Sequence, residues 1–170
     1  MIAVAYYIAF LVFPLGMAFA ATSDLMTMTI SNRLMLALIA AFAILSPLAG
    51  MDLNTFGMHW AAAGIVLAAA FFCFAFGWIG GGDAKLATVT TLWVGWDNGL
   101  EFIGLASLFG GALTLFMLSF RRSVLPAFII RQPWVQRLHD DQAGVPYGVA
   151  LAAAGLAVYP HTIWMTMTVG

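Results

Sequence analysis

The chain has 170 residues, of which 64% are hydrophobic and 8% charged, with a formal net charge of -1 and a mean hydropathy of +1.01. An ordinary soluble domain carries about 25% charged residues, so this composition excludes one and predicts an integral membrane protein, built as one compact domain with its apolar surface facing lipid. The balanced charge argues against a nucleic-acid partner, and the single Cys73 excludes an intrachain disulfide and a thiolate zinc cluster.

Six apolar segments predict an all-α membrane protein with six transmembrane helices in one polytopic domain, 1–170. A spanning helix needs about 20 apolar residues. The segments lie at about 2–22, 34–50, 59–79, 84–96, 102–120 and 147–169. The first segment lacks the basic residues that open a secretory signal, so we interpret it as a retained span. The fourth is a short helix after a glycine-rich break, and its apolar part, 86–96, reaches only about 17 Å.

The basic residues predict the orientation of the chain. If all six segments cross the membrane, every Lys and Arg lies on one side, whereas Asp52, Asp97 and Glu101 lie on the other. Because cytoplasmic loops carry the excess of Lys and Arg, we expect both termini on the non-cytoplasmic side. Three loops then face the cytoplasm: 23–33, 80–85 and 121–145.

Two acidic residues occupy positions that suggest a functional role. Asp24 follows the first span directly, and Asp83 closes the run Gly80-Gly81-Gly82 before the fourth. A carboxylate at the membrane boundary is costly unless it meets water, a cation or another polar group. The glycines can adopt backbone angles that other residues cannot, and they leave room for a substrate backbone to approach Asp83. We therefore predict that Asp24 and Asp83 converge on the same side of the membrane.

Two converging carboxylates suit the hydrolysis of a peptide bond. They cannot both ionise easily, so one stays protonated while the other is a base, and the pair titrates as a unit. The base activates water and the acid protonates the carbonyl oxygen, as in aspartic proteases. Taken singly, each aspartate is also compatible with a helix cap or a solvated loop charge, and three glycines with a flexible turn.

Three stretches of the sequence resemble the type IV prepilin leader peptidases, membrane aspartic peptidases of the GxGD type, in the short form found with Tad/Flp pilus systems. The stretches are the Asp24 loop ending in Ile30-Ser31-Asn32, the block Gly80-Gly81-Gly82-Asp83-Ala84-Lys85-Leu86, and the segment Gly144-Val145-Pro146-Tyr147-Gly148-Val149-Ala150. Their order, their spacing and the six-span layout agree along essentially the whole chain. The family loop often reads Ile-Pro-Asn, and here Ser31 replaces the proline.

The resemblance implies a function and a location. Asp24 and Asp83 would be the catalytic pair of a prepilin peptidase in the bacterial inner membrane, with the active site facing the cytoplasm. The substrate would be a prepilin with a short basic leader and an apolar helix. Longer members carry an inserted domain with Cys-x-x-Cys motifs that methylates the new amino terminus, and the single cysteine predicts that this domain is absent here.

Several further residues are candidates for the substrate cleft. Lys85 could bias the ionisation of Asp83 or serve as a boundary lysine, and Asn32 could hydrogen-bond substrate or cap the second span. The resemblance places Pro146, Tyr147 and Gly148 at the cleft. We expect no metal, because the three histidines lack ligand spacing, and no cofactor. The basic loop 121–145 is expected to lie along anionic lipid headgroups, or alternatively to dock the pilin or other pilus assembly proteins.

Two functions of other classes remain compatible with the sequence. Intramembrane carboxylates also serve small transporters, which tend to place them near the midplane in repeated halves. A noncatalytic scaffold for pilus assembly would keep the fold without turnover. Ion flux would indicate the transporter, and binding of pilin without cleavage would indicate the scaffold.

Overall fold

The computed structural model describes residues 2–166, which form α-helices joined by short turns. Three of the helices are long and apolar enough to cross a membrane: α1, α3 and α4. The α-helices are α1 (Ile2–Thr27), α2 (Asn32–Leu48), α3 (Leu53–Ala75), α4 (Gly81–Arg122), α5 (Ala127–Ile130), α6 (Pro133–His139), α7 (Tyr147–Val158) and α8 (Ile163–Thr166). The result is an all-helical fold with the apolar surface expected of a membrane protein.

Helix α4 is sharply kinked at Gly95, which has φ +82 and ψ -176. A Cβ on Gly99 would lie 3.9 Å from the Thr91 methyl group, whereas residues eight apart in a straight helix are separated by about 12 Å. The helix therefore reverses direction at Gly95, which divides it into two halves, 81–94 and 96–122, and brings Gly99 back beside Thr91. The predicted segments 84–96 and 102–120 leave residues 97–101 between them, whereas in the structure the chain reverses at one glycine, Gly95.

A buried histidine stabilises this reversal. The Nδ1 atom of His59 in α3 donates to the Leu92 carbonyl oxygen at 2.8 Å. Its ring occupies the space beside Gly95, where a Cβ would approach His59 Cε1 to 2.6 Å. The left-handed φ and this close approach both require glycine at position 95.

The ends of α3 and α7 differ from the predicted segments for local reasons. Asp52 caps α3 by accepting from the amides of Asn54 and Thr55 at 3.0 Å each, so this helix begins at Leu53 rather than at 59. After α7, Pro160 falls in a 3₁₀ turn, Tyr159–His161, and divides the predicted segment 147–169. Residues 167–169 of that segment, and the chain ends whose sidedness was predicted, lie outside the described residues.

An aromatic core joins the helices at a distance from the aspartates. Trp93 and Trp164 are fully buried and lie against each other at a tilted angle. Phe13 stacks on Trp93, and Phe42 meets both indole rings edge to face. The Trp93 indole donates to the Leu38 carbonyl oxygen, and the Trp164 indole donates to the carbonyl oxygen of Trp93, each at 3.1 Å. Because Trp93 is ten residues beyond Asp83, this core lies about 15 Å along the helix from that carboxylate.

Candidate active site

A cavity of about 1090 Å³ opens where the end of α1, the beginning of α4 and the segment before α7 meet. Both Asp24 and Asp83 line it. The other lining residues are Met28, Thr29, Ile30, Asn32, Gly77, Trp78, Ile79, Gly80, Gly81, Gly82, Lys85, Gly144, Val145 and Tyr147. The structure therefore brings together the three sequence stretches that were singled out.

Asp24 continues the buried face of α1. Phe13, Met17 and Ala20 precede it at helical spacing, and all are buried. The Asp24 side chain is also buried, with 6% of the residue exposed. Its Oδ2 atom accepts a hydrogen bond of 2.8 Å from the Gly148 amide at the beginning of α7. A backbone donor on another helix thus fixes the orientation of this carboxylate.

The turn after Asp24 is held by local hydrogen bonds. Met28 adopts a left-handed conformation with φ +56, which ends α1. The Ser23 hydroxyl donates to the Thr29 carbonyl oxygen at 2.9 Å across the turn. Ser31 then caps α2 by accepting from the Arg33 amide at 3.2 Å. Because Ser31 has φ -67, it takes the backbone angle that the family's proline would impose.

Asp83 lies in the first turn of α4 and is half-buried. An acidic side chain is favourable at this end of a helix, where free amides give a partial positive charge. A Cβ on Gly80 would come within 2.9 Å of Asp83 Oδ2, whereas one on Gly82 would meet Ile30 at an ordinary 3.5 Å. Gly80 is therefore the glycine whose missing side chain leaves room for the carboxylate.

The expected backbone role of the three glycines is wrong. None of them has a left-handed φ, and Gly81 and Gly82 are ordinary helical residues of α4. The special angle occurs three residues earlier, at Gly77, where φ is +73 and the chain leaves α3. At Gly80 the missing side chain makes room for the Asp83 carboxylate itself, and room for a substrate backbone beside the glycines stays a prediction.

The two carboxylates share one environment. Asp24 lies close enough to Asp83 for its charge to act there. The Ile30 side chain lies between the backbone at Gly82, next to Asp83, and the backbone at Gly148, which donates to Asp24. A Cβ on Gly82 would lie 3.5 Å from Ile30, and a Cβ on Gly148 would lie 2.8 Å from it. Two carboxyl groups in one partly enclosed cavity can divide the roles of base and acid toward a bound water.

Lys85 and Asn32 pair with each other across the cavity. The Lys85 Nζ atom donates to Asn32 Oδ1 at 2.9 Å, and within residues 2–166 the structure has no ion pair between Lys85 and Asp83. Capping of α2 by Asn32 was the wrong alternative, because Ser31 supplies the cap. Their pair joins the beginnings of α2 and α4 on either side of the opening.

The third predicted stretch contributes in three ways. Pro146 is buried at the N-cap of α7 and does not line the cavity. Tyr147 lines it and donates through its hydroxyl to the Ala106 carbonyl oxygen at 3.2 Å. Gly148 supplies the amide that meets Asp24, and a Cβ there would lie 2.8 Å from Asp24 Oδ2.

Sequence reasoning missed the wall formed by Gly77, Trp78 and Ile79. The signal was the glycine that ends the apolar run of α3, immediately before the exposed Trp78. No group of three His, Cys, Asp or Glu side chains that could hold a metal ion is found in the part of the chain that the structure describes.

Comparison with known proteins gives one family match. The model of the type IV leader peptidase family matches residues 11–115, a range that includes Asp24, Asp83 and the helices that position them. Comparisons with curated proteins and with solved structures give no significant match.

Proposed function

The chain belongs to the type IV leader peptidase family, and from this membership we propose that it is an aspartic endopeptidase that removes the leader of Flp-type prepilins at the cytoplasmic face of the bacterial inner membrane. One observation carries the proposal: Asp24 and Asp83, from two different helices, line the same cavity. Both fall inside the matched range.

The chemistry proposed for this cavity needs only the two carboxyl groups and water. The ionised carboxylate takes a proton from the attacking water, and its protonated partner donates a proton to the scissile carbonyl oxygen. Collapse of the tetrahedral intermediate breaks the C–N bond, and the departing amine receives a proton from the pair. The Gly148 amide keeps Asp24 oriented through these steps.

The substrate is proposed to reach the cavity from the side. Trp78 lines the cavity, is 70% exposed, and lies in an aromatic cluster with Phe72 and Phe76 at the end of α3. An apolar helix in the membrane could pack along this exposed end of α3 while its extended junction with the leader enters the cavity. In the proposed six-span topology, the cavity and all six basic residues lie on the cytoplasmic side.

Processing of a co-expressed precursor tests the proposal. The substrate is a prepilin with a short basic leader and one apolar helix, and the readout is the mass of the mature chain. Wild type is expected to process it, and Asp24→Asn and Asp83→Asn are expected to leave nearly all of it uncut. Asp97→Asn is the matched control, because Asp97 is exposed near the opposite end of α4's first half. Full processing by either of the first two variants would overturn the two-carboxylate mechanism.

The same experiment tests the substrate class. A second precursor with an apolar helix but without a basic leader is expected to remain intact in the presence of wild type. Cleavage of both precursors at equal rates would contradict the assignment to prepilins while leaving peptidase activity in place.

A further inference from the structure

The basic segment 121–145 runs from the last turn of α4 to α7 and contains four arginines, of which two hydrogen-bond to the backbone. Arg121 and Arg137 donate to main-chain carbonyl oxygens. Arg122 and Arg131 are exposed, and no hydrogen bond from either side chain is found within residues 2–166. Attraction to anionic headgroups would act on all four arginines alike. It therefore does not explain why only Arg121 and Arg137 hydrogen-bond to the backbone.

Arg121 holds the segment that leads into α7. Its Nε atom donates to the Leu138 carbonyl oxygen at 3.0 Å, and its Nη2 atom donates to those of Ala143 and Gly144 at 2.8 Å each. The Leu138 carbonyl belongs to the last turn of α6, where carbonyls lack helical partners. The planar guanidinium is suited to this task because its donors point in fixed directions.

The held segment reaches the proposed active site within four residues. Gly144 and Val145 line the cavity. The Tyr147 amide bonds back to the Val145 carbonyl oxygen at 2.7 Å, and Pro146 has a fixed φ. Because this turn is tight, a shift of Gly144 is passed on to the Gly148 amide, the donor to Asp24.

Arg137 holds the end of α1, which carries Asp24, the acceptor of the hydrogen bond from the Gly148 amide. Its Nη1 atom donates to the Met26 carbonyl oxygen at 2.7 Å, two residues beyond Asp24 in the last turn of α1. Helix α6, which carries Arg137, is anchored by the buried side chains of Val135 and Leu138. The loop thus contacts the backbone on both sides of the Asp24 carboxylate.

We propose that Arg121 is a positioning residue that sets the register between the Gly148 amide and Asp24, with Arg137 fixing the end of α1. The effect on catalysis rests on the proposed function. The arginine does not touch the reacting atoms; it acts through the Ala143–Gly144 backbone. Removal of the Arg121 guanidinium would leave both aspartates in place but allow the Gly148 amide to move away from Asp24.

The kinetic test uses Arg121→Gln, Arg121→Lys and the matched control Arg122→Gln, each purified in lipid nanodiscs with the cleavable prepilin. Because small misplacements of catalytic groups cost up to about 100-fold in rate, we expect Arg121→Gln to lower kcat by about 10- to 100-fold with KM unchanged. Arg121→Lys keeps the charge but not the planar fork, so its kcat is expected to fall as well. Arg122→Gln is expected to match wild type. Equal losses in the Arg121→Gln and Arg122→Gln variants, or wild-type kcat in Arg121→Lys, would overturn the proposal.

A second measurement separates this inference from the proposed function. Hydrogen exchange of residues 143–150 is expected to speed up in both Arg121 variants and to stay unchanged in Arg122→Gln. If wild type cleaves no prepilin, the proposed function fails, and the exchange data still test whether Arg121 positions the segment that leads into α7. Unchanged hydrogen exchange of residues 143–150 in a folded Arg121 variant would contradict the positioning role, whatever the activity of that variant.

Discussion

Replacement of Gly148 by alanine tests how closely the backbone must approach Asp24. A Cβ at this position would lie 2.8 Å from Asp24 Oδ2, 2.8 Å from Ile30 Cδ1 and 3.1 Å from Asp24 Cγ. The contacted atoms belong to side chains, so the clash can be relieved without a change in the backbone. One of the groups that would have to move is the Asp24 carboxylate itself. Because Gly148 does not have a left-handed φ, the expected effect of alanine comes from this contact and not from backbone strain.

The magnitude follows from the hydrogen bond that the displacement breaks. A hydrogen bond to a charged group contributes about 1.5–3 kcal/mol. If about 2–3 kcal/mol of this is lost in the transition state, kcat/KM falls about 30- to 150-fold. The assay is the initial rate of prepilin cleavage by the purified variant below KM, together with its thermal unfolding midpoint.

Gly111→Ala is the control for this prediction. A Cβ on Gly111 would meet nothing within 4 Å, and this residue does not line the cavity. We expect it to retain the wild-type rate. The reasoning would be refuted if Gly148→Ala kept at least half of the wild-type rate, or if Gly111→Ala lost as much activity as Gly148→Ala.

Two further substitutions probe the glycines at the N-cap and at the reversal of α4. Gly80→Ala would bring a Cβ within 2.9 Å of Asp83 Oδ2, so we expect a loss of cleavage rate without a loss of thermal stability. Gly64→Ala, whose Cβ would meet nothing within 4 Å, should retain activity, and equal rates for the two would be inconsistent with a carboxylate held beside Gly80. Gly95→Ala forces a left-handed residue and a clash with a buried histidine ring, so the free energy of unfolding should fall by about 1–3 kcal/mol. Gly104→Ala, which has open space around its Cβ, should unfold like wild type, and an undiminished stability of Gly95→Ala would argue against the reversal at that residue.

The catalytic candidates were accessible from the sequence because charge is so scarce in it. With only seven acidic residues, the positions of Asp24 and Asp83 at the ends of apolar segments were informative on their own. The conformation around them was less accessible. Three consecutive glycines indicate backbone freedom, yet helical hydrogen bonding extends through Gly81 and Gly82 and the left-handed angle falls at Gly77.

Two features depend on contacts that a linear pattern does not encode. Gly95 lies inside an apolar run, and its left-handed φ and its close approach to the His59 ring arise only in the folded chain. The arginines of the basic loop satisfy the positive-inside rule by their number alone. That rule gives no reason to distinguish Arg121 from Arg122, and the difference arises from the carbonyl oxygens that folding brings to Arg121.

The cleavage rate of the double variant Asp24→Asn/Asp83→Asn, measured beside the two single variants with the same purified prepilin, tests the central claim most directly. Residues that act as one catalytic unit have strongly non-additive effects. The account predicts that each single substitution reduces the rate to a low residual level and that the double variant is no slower than either. Contradiction would come from wild-type rates in a single variant, or from losses in the double variant that equal the product of the two single losses.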